Sequence, residues 1–373
     1  MLKFASPLLD EETIQGVADV LRSGHITSGP WVERFEADLS RFCEGRPVRA
    51  VTSATAAVEI ALQVAGIGPG DEVITCAQSF FTVSNMIVKV GATPVFVDCD
   101  LVTRNIDLDQ VARRINSRTR VIMPTHWPGS LGDLDALYAL AREHRLRVIE
   151  DAALVLGSRY RGRPIGAIGD LVTFSFHPNK NVTTVEGGAL VCNDPEEARL
   201  VEVLRFHGIE RLPDGTRDVA FPGGKFNLPD VNARIGVAQL LRLPEFLARR
   251  RELVNRYFER FPRNLGCVLP APPADDDAQS WNMFCILLPP EAPFTRKEFR
   301  DRLAQRGIAT GVSYEALHLT SLGRRFGYHR GDLPNTERIA DTTVTLPLHV
   351  AMSLDDVDRV CAACAGVFAG QEP

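Results

Sequence analysis

The chain has 373 residues, 45% hydrophobic and 24% charged, the balance of an ordinary globular protein. Its net charge of −5, with both signs dispersed, leaves no basic face and argues against a nucleic-acid partner. No apolar run approaches a membrane span, the start MLKFASPLLDEET lacks an apolar signal core, and eight scattered cysteines suggest no disulfide framework. A soluble cytoplasmic protein with no membrane partner is expected, and the length favours two domains.

Ile14, Val17, Val20 and Leu21 recur at helical spacing behind an acidic start and predict a helix over 10–21. HITSGP breaks it, and a second amphipathic helix over 31–42 leads to a short strand over 49–51. An alternation follows: helix 55–64, strand 72–75, helix 82–90, strand 93–97 and helix 108–115, then strand 120–123, helix 134–144 and strand 147–149. Such alternation predicts a mostly parallel sheet with helices on both faces. Residues 196–205 read as a helix and 211–224, rich in Gly, Pro and charge, as a loop. The long helical patterns DVNARIGVAQLLRL and EFLARRRELVNRYFERF, separated near Pro244, suggest a linker. The expected division is a large domain over 1–242 and a smaller α+β domain over 243–373, with strands around 282–288, a helix over 296–306 and a last helix after Ser353. Cys361 and Cys364 fall on one face of that last helix and read as core packing rather than a metal or redox pair.

The stretch TFSFHPNKNVTTVEGGALV, Thr173 to Val191, sets one lysine, Lys180, in a turn between two apolar strand-like runs. Lysine suits such a turn poorly, because its charge must be hydrated or paired. It suits the turn well if the amine is held there for covalent chemistry, since a desolvated lysine loses its proton readily. Upstream, RVIEDAALVLGS places Asp151 where a strand runs out, at the edge where open α/β sheets bind ligands. In VTSATAAVEIAL, Ser53, Ala54 and Thr55 open a helix whose free N–H groups could hold an anion, although such residues also cap ordinary helices.

The patterns E-D-A-A, S-F-H-P-x-K-N and E-G-G resemble the DegT/DnrJ/EryC/StrS sugar aminotransferase family, fold-type I enzymes that depend on pyridoxal 5'-phosphate. The resemblance runs from GHITSGPWVERFE to LPNTERIADTTVTLPLH. It implies an α/β fold with a mostly parallel seven-stranded sheet. It implies Lys180 as the Schiff-base lysine and Asp151 as the partner of the cofactor's ring nitrogen. Ala54, Thr55 and Ser175 would meet the cofactor phosphate, and Phe80 would stack on the ring. Lys225, in GGKFNLPDVNARIGVAQL, would reach the phosphate of a neighbouring subunit, which makes a homodimer with shared sites. Thr27, His126, Tyr314 and His318 would serve the substrate, with His126 equally readable as a structural histidine.

Four positions depart from the family pattern. Ala54 stands where glycine is usual, and Leu154 replaces a glutamine or histidine. Trp127-Pro128 follows His126 where a small residue is usual, so Trp127 could narrow the pocket or shield the ring. Ser313 replaces a histidine. Within the family the chain most resembles the branch making UDP-4-amino-4-deoxy-L-arabinose, which implies a nucleotide-linked keto-sugar as acceptor and L-glutamate as donor. A sugar dehydratase of the same family would carry histidine at Lys180, and a non-catalytic protein retaining the fold is the other alternative.

Overall fold

The computed structural model describes residues 1–272 and 278–371. Residues 273–277 and 372–373, which fall within the expected C-terminal unit, lie outside the described residues.

Helix α1 (Glu11–Ser23) starts where the Asp10 carboxylate accepts the Thr13 N–H at 2.9 Å and stops at Gly24, whose φ of 76° suits a left-handed cap. Helix α2 (Pro30–Phe42) follows, then strand β1 (Val48–Val51) and helix α3 (Ala54–Val64). The expected alternation is present as β2 (Glu72–Cys76), α4 (Thr82–Lys89), β3 (Thr93–Val97), α5 (Leu108–Arg114), β4 (Thr119–Met123), α6 (Leu134–His144) and β5 (Arg147–Asp151). A small ribbon of β6 (Arg159–Tyr160) and β7 (Arg163–Pro164) precedes β8 (Leu171–Ser175) and β9 (Gly188–Val191), and α7 (Pro195–Leu204) comes next.

Residues 211–224 are not all loop. Strands β10 (Ile209–Arg211) and β11 (Arg217–Val219) form a hairpin around Pro213-Asp214-Gly215, with Gly215 at φ 87°. The two long helices, α8 (Asp230–Leu241) and α9 (Leu243–Arg260), part at Arg242. Then come β12 (Phe284–Leu287), α10 (Arg296–Gln305), α11 (Ser321–Arg324), α12 (Pro334–Thr342), β13 (Thr343–Leu346) and α13 (Leu354–Phe368). Strand β13 pairs antiparallel with β12 and was not expected, because α12 runs into it without any breaker residue.

Seven strands make the main sheet, in the order β1-β9-β8-β5-β4-β2-β3. Only β9 runs against its neighbours; β8, β5, β4, β2 and β3 are mutually parallel. Both faces are covered, so the strands read as nearly continuous apolar runs. One consequence places the chemistry. The carboxyl ends of β1, β2, β4, β5 and β8 and the amino end of β9 all meet along one edge.

The C-terminal segment has its own core, in which Leu253, Phe284, Val344 and Val360 pack with Cys361 and Cys364. The other face of β12 joins the main core through Cys285 and Leu287. Two buried arginines pin this junction, with no carboxylate partner among the described residues: Arg104 donates to the Cys285 carbonyl at 2.8 Å, and Arg250 to the carbonyls of Trp281 and Leu348 at 3.1 Å each. Burial lowers the pKa of Arg250 to about 10, still well above neutrality.

Candidate active site

The sheet edge opens into a cavity of about 290 Å³, at the low end of small-molecule sites. Its two facing ionisable groups come from strand ends. Strand β8 runs into the turn that carries Lys180, whose N–H donates to the His177 carbonyl at 2.9 Å. The Asn181 amide anchors the same turn to the carbonyls of Leu156 and Ser280 at 3.3 and 3.1 Å. Strand β5 extends two residues past its expected end, so Asp151 still pairs in register with Thr173. Its carboxylate accepts the Ala153 N–H at 3.1 Å and faces the cavity.

Beside β1, the Ser53 hydroxyl accepts the Ala56 N–H at 3.1 Å and starts α3, which leaves the first N–H groups of the helix without intrahelical partners. Gly188 explains why this cup exists. A Cβ there would lie 2.4–2.5 Å from the backbone of Ser53 and Ala54, so only glycine lets β9 approach the turn. Ala54 in place of glycine costs nothing visible, since its N–H is unaltered. Ser175, Thr55 and the helix start could hold a phosphate together.

The two ionisable groups shift in opposite directions for one reason, the dryness of the walls. Desolvation pulls Lys180 down to about 8, with the Asp151 charge pushing back. Lys180 as a whole residue is half-buried and lines the cavity. Burial raises the Asp151 carboxyl, against the Ala153 N–H and the nearby Lys180 and His126. A lysine with a pKa near 8 is a usable base and nucleophile at physiological pH.

Seven of the expected residues line this cavity: Ala54, Thr55, Phe80, Asp151, Ser175, Lys180 and Tyr314. Phe80 is 48% exposed and meets Tyr314 edge-on, with ring centroids 5.4 Å apart. Burial and the Asp151 charge raise the Tyr314 phenol far above its usual range, so it stays protonated. Leu154 also faces the cavity and presents no polar group.

The other four lie elsewhere. His126 turns away to Glu150, Nε2 to Oε2 2.7 Å, with Tyr138 donating to the other carboxylate oxygen at 2.6 Å. His318 is buried against Glu337 at 3.1 Å. In both cases a buried imidazole satisfies a buried carboxylate, and neither ring lines the cavity. Thr27 is exposed, its carbonyl accepting the Asp230 N–H at 3.1 Å. Lys225 is exposed too, 4.1 Å over the Phe206 ring and bonded to Asn227. Its segment is nevertheless tied to the cup, because the Phe226 carbonyl accepts the Thr52 N–H at 2.8 Å. Trp127 neither narrows nor shields the cavity; it is wholly buried, with the Arg104 guanidinium 5.8 Å above its ring.

Sequence reasoning missed Thr125, His177, Asn179 and Glu186 in the lining. Thr125 had the same signal as Asp151, a polar residue just past a parallel strand. A larger open groove of about 740 Å³, lined mainly by apolar residues such as Leu101, Phe258 and Pro270, lacks any comparable set of groups. Among the described residues no cluster of His, Cys, Asp or Glu could hold a metal ion, and no helix is long and apolar enough to cross a membrane.

A parallel α/β sheet with a lysine, an aspartate and an anion cup converging at one edge defines a transferase of fold-type I. The chain belongs to the DegT/DnrJ/EryC1/StrS aminotransferase family, whose sequence profile matches residues 7–365. It is 37% identical to the spore coat polysaccharide biosynthesis protein SpsC of Bacillus subtilis (strain 168), over all of this chain and 98% of that one. It is 36% identical to a UDP-4-amino-4-deoxy-L-arabinose–oxoglutarate aminotransferase of Shewanella sediminis (strain HAW-EB3), over 98% of each chain. Spr1654 of Streptococcus pneumoniae, described as a sugar aminotransferase and solved in its PMP form, superposes with a TM-score of 0.94 at 31% identity, covering 99% of this chain and 100% of that one. The same protein is also known in a PLP form.

Proposed function

We propose that this enzyme is a pyridoxal phosphate-dependent aminotransferase moving an amino group from L-glutamate to a nucleotide-linked keto-sugar. The observation that carries the reading is the convergence of Lys180, the Asp151 carboxylate and the start of α3 in one cavity. The fit is chemical. The cup suits a phosphate dianion, the amine suits an aldehyde, and the carboxylate suits a ring cation. Bound pyridoxal phosphate supplies an electron sink for the carbanion formed at the donor's α-carbon.

The chain's own residues do the rest. Lys180, its pKa lowered to about 8, would hold the cofactor and then carry a proton to and from the reacting carbon. Asp151, only 6% exposed, would provide the fixed negative charge that keeps a ring nitrogen protonated. Ala54, Thr55 and Ser175 would hold the cofactor's phosphate, and Phe80 would lie against its ring. Tyr314, protonated and beside Phe80, and Thr27 serve the substrate side. His126 and His318 brace the walls.

We also assign residues 1–242 to the cofactor domain and 243–373 to the smaller one. Lys225 faces outward beside the cup, which suits a cation lent to a neighbour's phosphate. The working unit is accordingly a homodimer with shared sites. Eight free cysteines suit a reducing compartment, and we place the enzyme in the cytoplasm.

The test is to incubate holoenzyme with L-glutamate and a panel of nucleotide keto-sugars, reading aminated products by mass. Borohydride should fix the cofactor on the peptide containing Lys180. Label on Lys225, or no aminated product across the panel, would defeat the assignment. Mixing Lys180→Ala with Lys225→Ala subunits at limiting cofactor should partly restore activity, because one site of a mixed dimer carries neither defect. No recovery despite proven mixed dimers would place the site within one chain.

A further inference from the structure

A buried carboxylate keeps its orientation and its charge only if its oxygens are held. One oxygen of Asp151, Oδ1, is held locally by the Ala153 N–H at 3.1 Å. Among the described residues the other, Oδ2, has one side-chain partner, the Thr125 hydroxyl at 3.5 Å. Thr125 sits just beyond β4, bridged in parallel to Asp151. Its oxygen lies 2.7 Å from the Ser79 hydroxyl, just beyond β2, and both residues are buried, at 4% and 0% exposure.

Two hydroxyls this close share one proton between them, and the direction of sharing matters. If Thr125 donated to Ser79, its lone pairs would face a carboxylate and repel it. If Ser79 donates to Thr125, the Thr125 proton is free for Oδ2. The negative charge of Asp151 selects the second direction. Ser79 also directly precedes Phe80, so one short chain of hydroxyls ties the aromatic wall to the acid.

We propose that Thr125 and Ser79 are positioning residues for Asp151, a hydroxyl relay that aims a proton at Oδ2 and holds the carboxylate toward the cavity. This rests on the reading of Asp151 as counter-charge to the bound ring. The relay acts through the carboxylate, not on the substrate. It opposes burial, which drives Asp151 toward its neutral form. The other groups facing this acid are Lys180 from the turn before β9, His126 from behind and Tyr314 from the loop after α10. Lys180 and His126 favour the ionised acid, and Tyr314 stays a neutral phenol. Glu150, its chain neighbour, is occupied by His126 and Tyr138.

The decisive variant is Thr125→Val, which keeps the shape and removes the hydroxyl. Holoenzyme carrying it should bind cofactor within about threefold of wild type, since the cup is untouched. Its kcat for the half-reaction with L-glutamate should fall about tenfold, the worth of one hydrogen bond to a charged group, with KM little changed. The acid limb of the pH profile should move to higher pH. Thr125→Ser should restore both, and Ser79→Ala should shift them in the same direction by less. A second readout needs no turnover: in cofactor-free protein with ¹³C-labelled aspartate, the Asp151 carboxyl should titrate at higher pH in Thr125→Val than in wild type. An unmoved titration and an unmoved acid limb would overturn the relay, even if the rate fell. Should Thr125→Val fail to fold, Ser79→Ala in the same two measurements decides. If Asp151→Asn turns over normally, the reading of Asp151 fails, while the carbon titration still judges the relay.

Discussion

Glu150 and Asp151 are neighbours on one strand, equally removed from water, and they lead opposite lives. Alternation along β5 sends them to opposite faces of the sheet. Glu150 meets two short donors, His126 at 2.7 Å and Tyr138 at 2.6 Å, which use up both its oxygens. Among the described residues the Asp151 carboxylate has only the longer contacts to Ala153 at 3.1 Å and Thr125 at 3.5 Å, and it opens onto the cavity. A buried acid whose demands are already met is part of the frame. One left partly unmet is available to a ligand. Burial alone does not distinguish the two, and each has two hydrogen bonds, but the lengths of those bonds do.

The first way to break this contrast is to remove the group that Asp151 shares the cavity with. Lys180→Ala should lower transamination at least about ten-thousandfold and abolish borohydride labelling of that peptide. Retained labelling would mean that another amine does the work. Asp151→Asn should cost about a thousandfold in the donor half-reaction while cofactor binding and melting temperature stay near wild type. Glu150→Gln should do the reverse, losing about 1–3 kcal/mol of stability in urea unfolding with less than a tenfold fall in rate. Matching losses in the two variants would erase the distinction.

Two smaller effects sharpen it. Only a neutral amine attacks an aldehyde, so with Lys180 near pKa 8 capture of added pyridoxal phosphate by cofactor-free protein should quicken as pH rises. The rate should climb about tenfold from pH 7 to its plateau, because about one amine in ten is neutral at pH 7. A flat profile by stopped-flow absorbance would mean that the lysine is not desolvated. Leu154→His, adding a polar group to the cavity wall, should leave cofactor binding intact and change relative rates across the sugar panel a few-fold. Lost cofactor, or an unchanged ranking, would tell against a role in substrate choice.

What could be read from the sequence was whatever depends on short stretches of chain. Lys180 and Asp151 announce themselves because each breaks an apolar run at its end, and the edge of a parallel sheet gives that break a meaning. The same logic applied to Ser53. It did not reach His126, because the face on which a residue lies is decided by how far the strand continues. Had β5 been carried to Asp151 rather than to residue 149, alternation would have grouped His126 with Glu150 and Thr125 with the acid that faces the cavity. Ser79 and Thr125 were passed over because hydroxyls at strand ends are common and their partners sit on other strands. The β10–β11 hairpin did carry its own signal, Pro-Asp-Gly, hidden among charged neighbours. Strand β13 carried none, since nothing separates it from the helix before it.

The bare Cα of Gly188 against the Ser53 turn has a consequence for how the protein is made. Strand β1 is synthesised early, yet the wall that closes its turn is β9, translated long afterwards. A nascent chain released before β9 has left the ribosome holds Ser53, Thr55 and Ser175 and still lacks the strand that closes the Ser53 turn. That turn is therefore closed only once β9 has been translated and paired with β1, the first strand of the main sheet with the last.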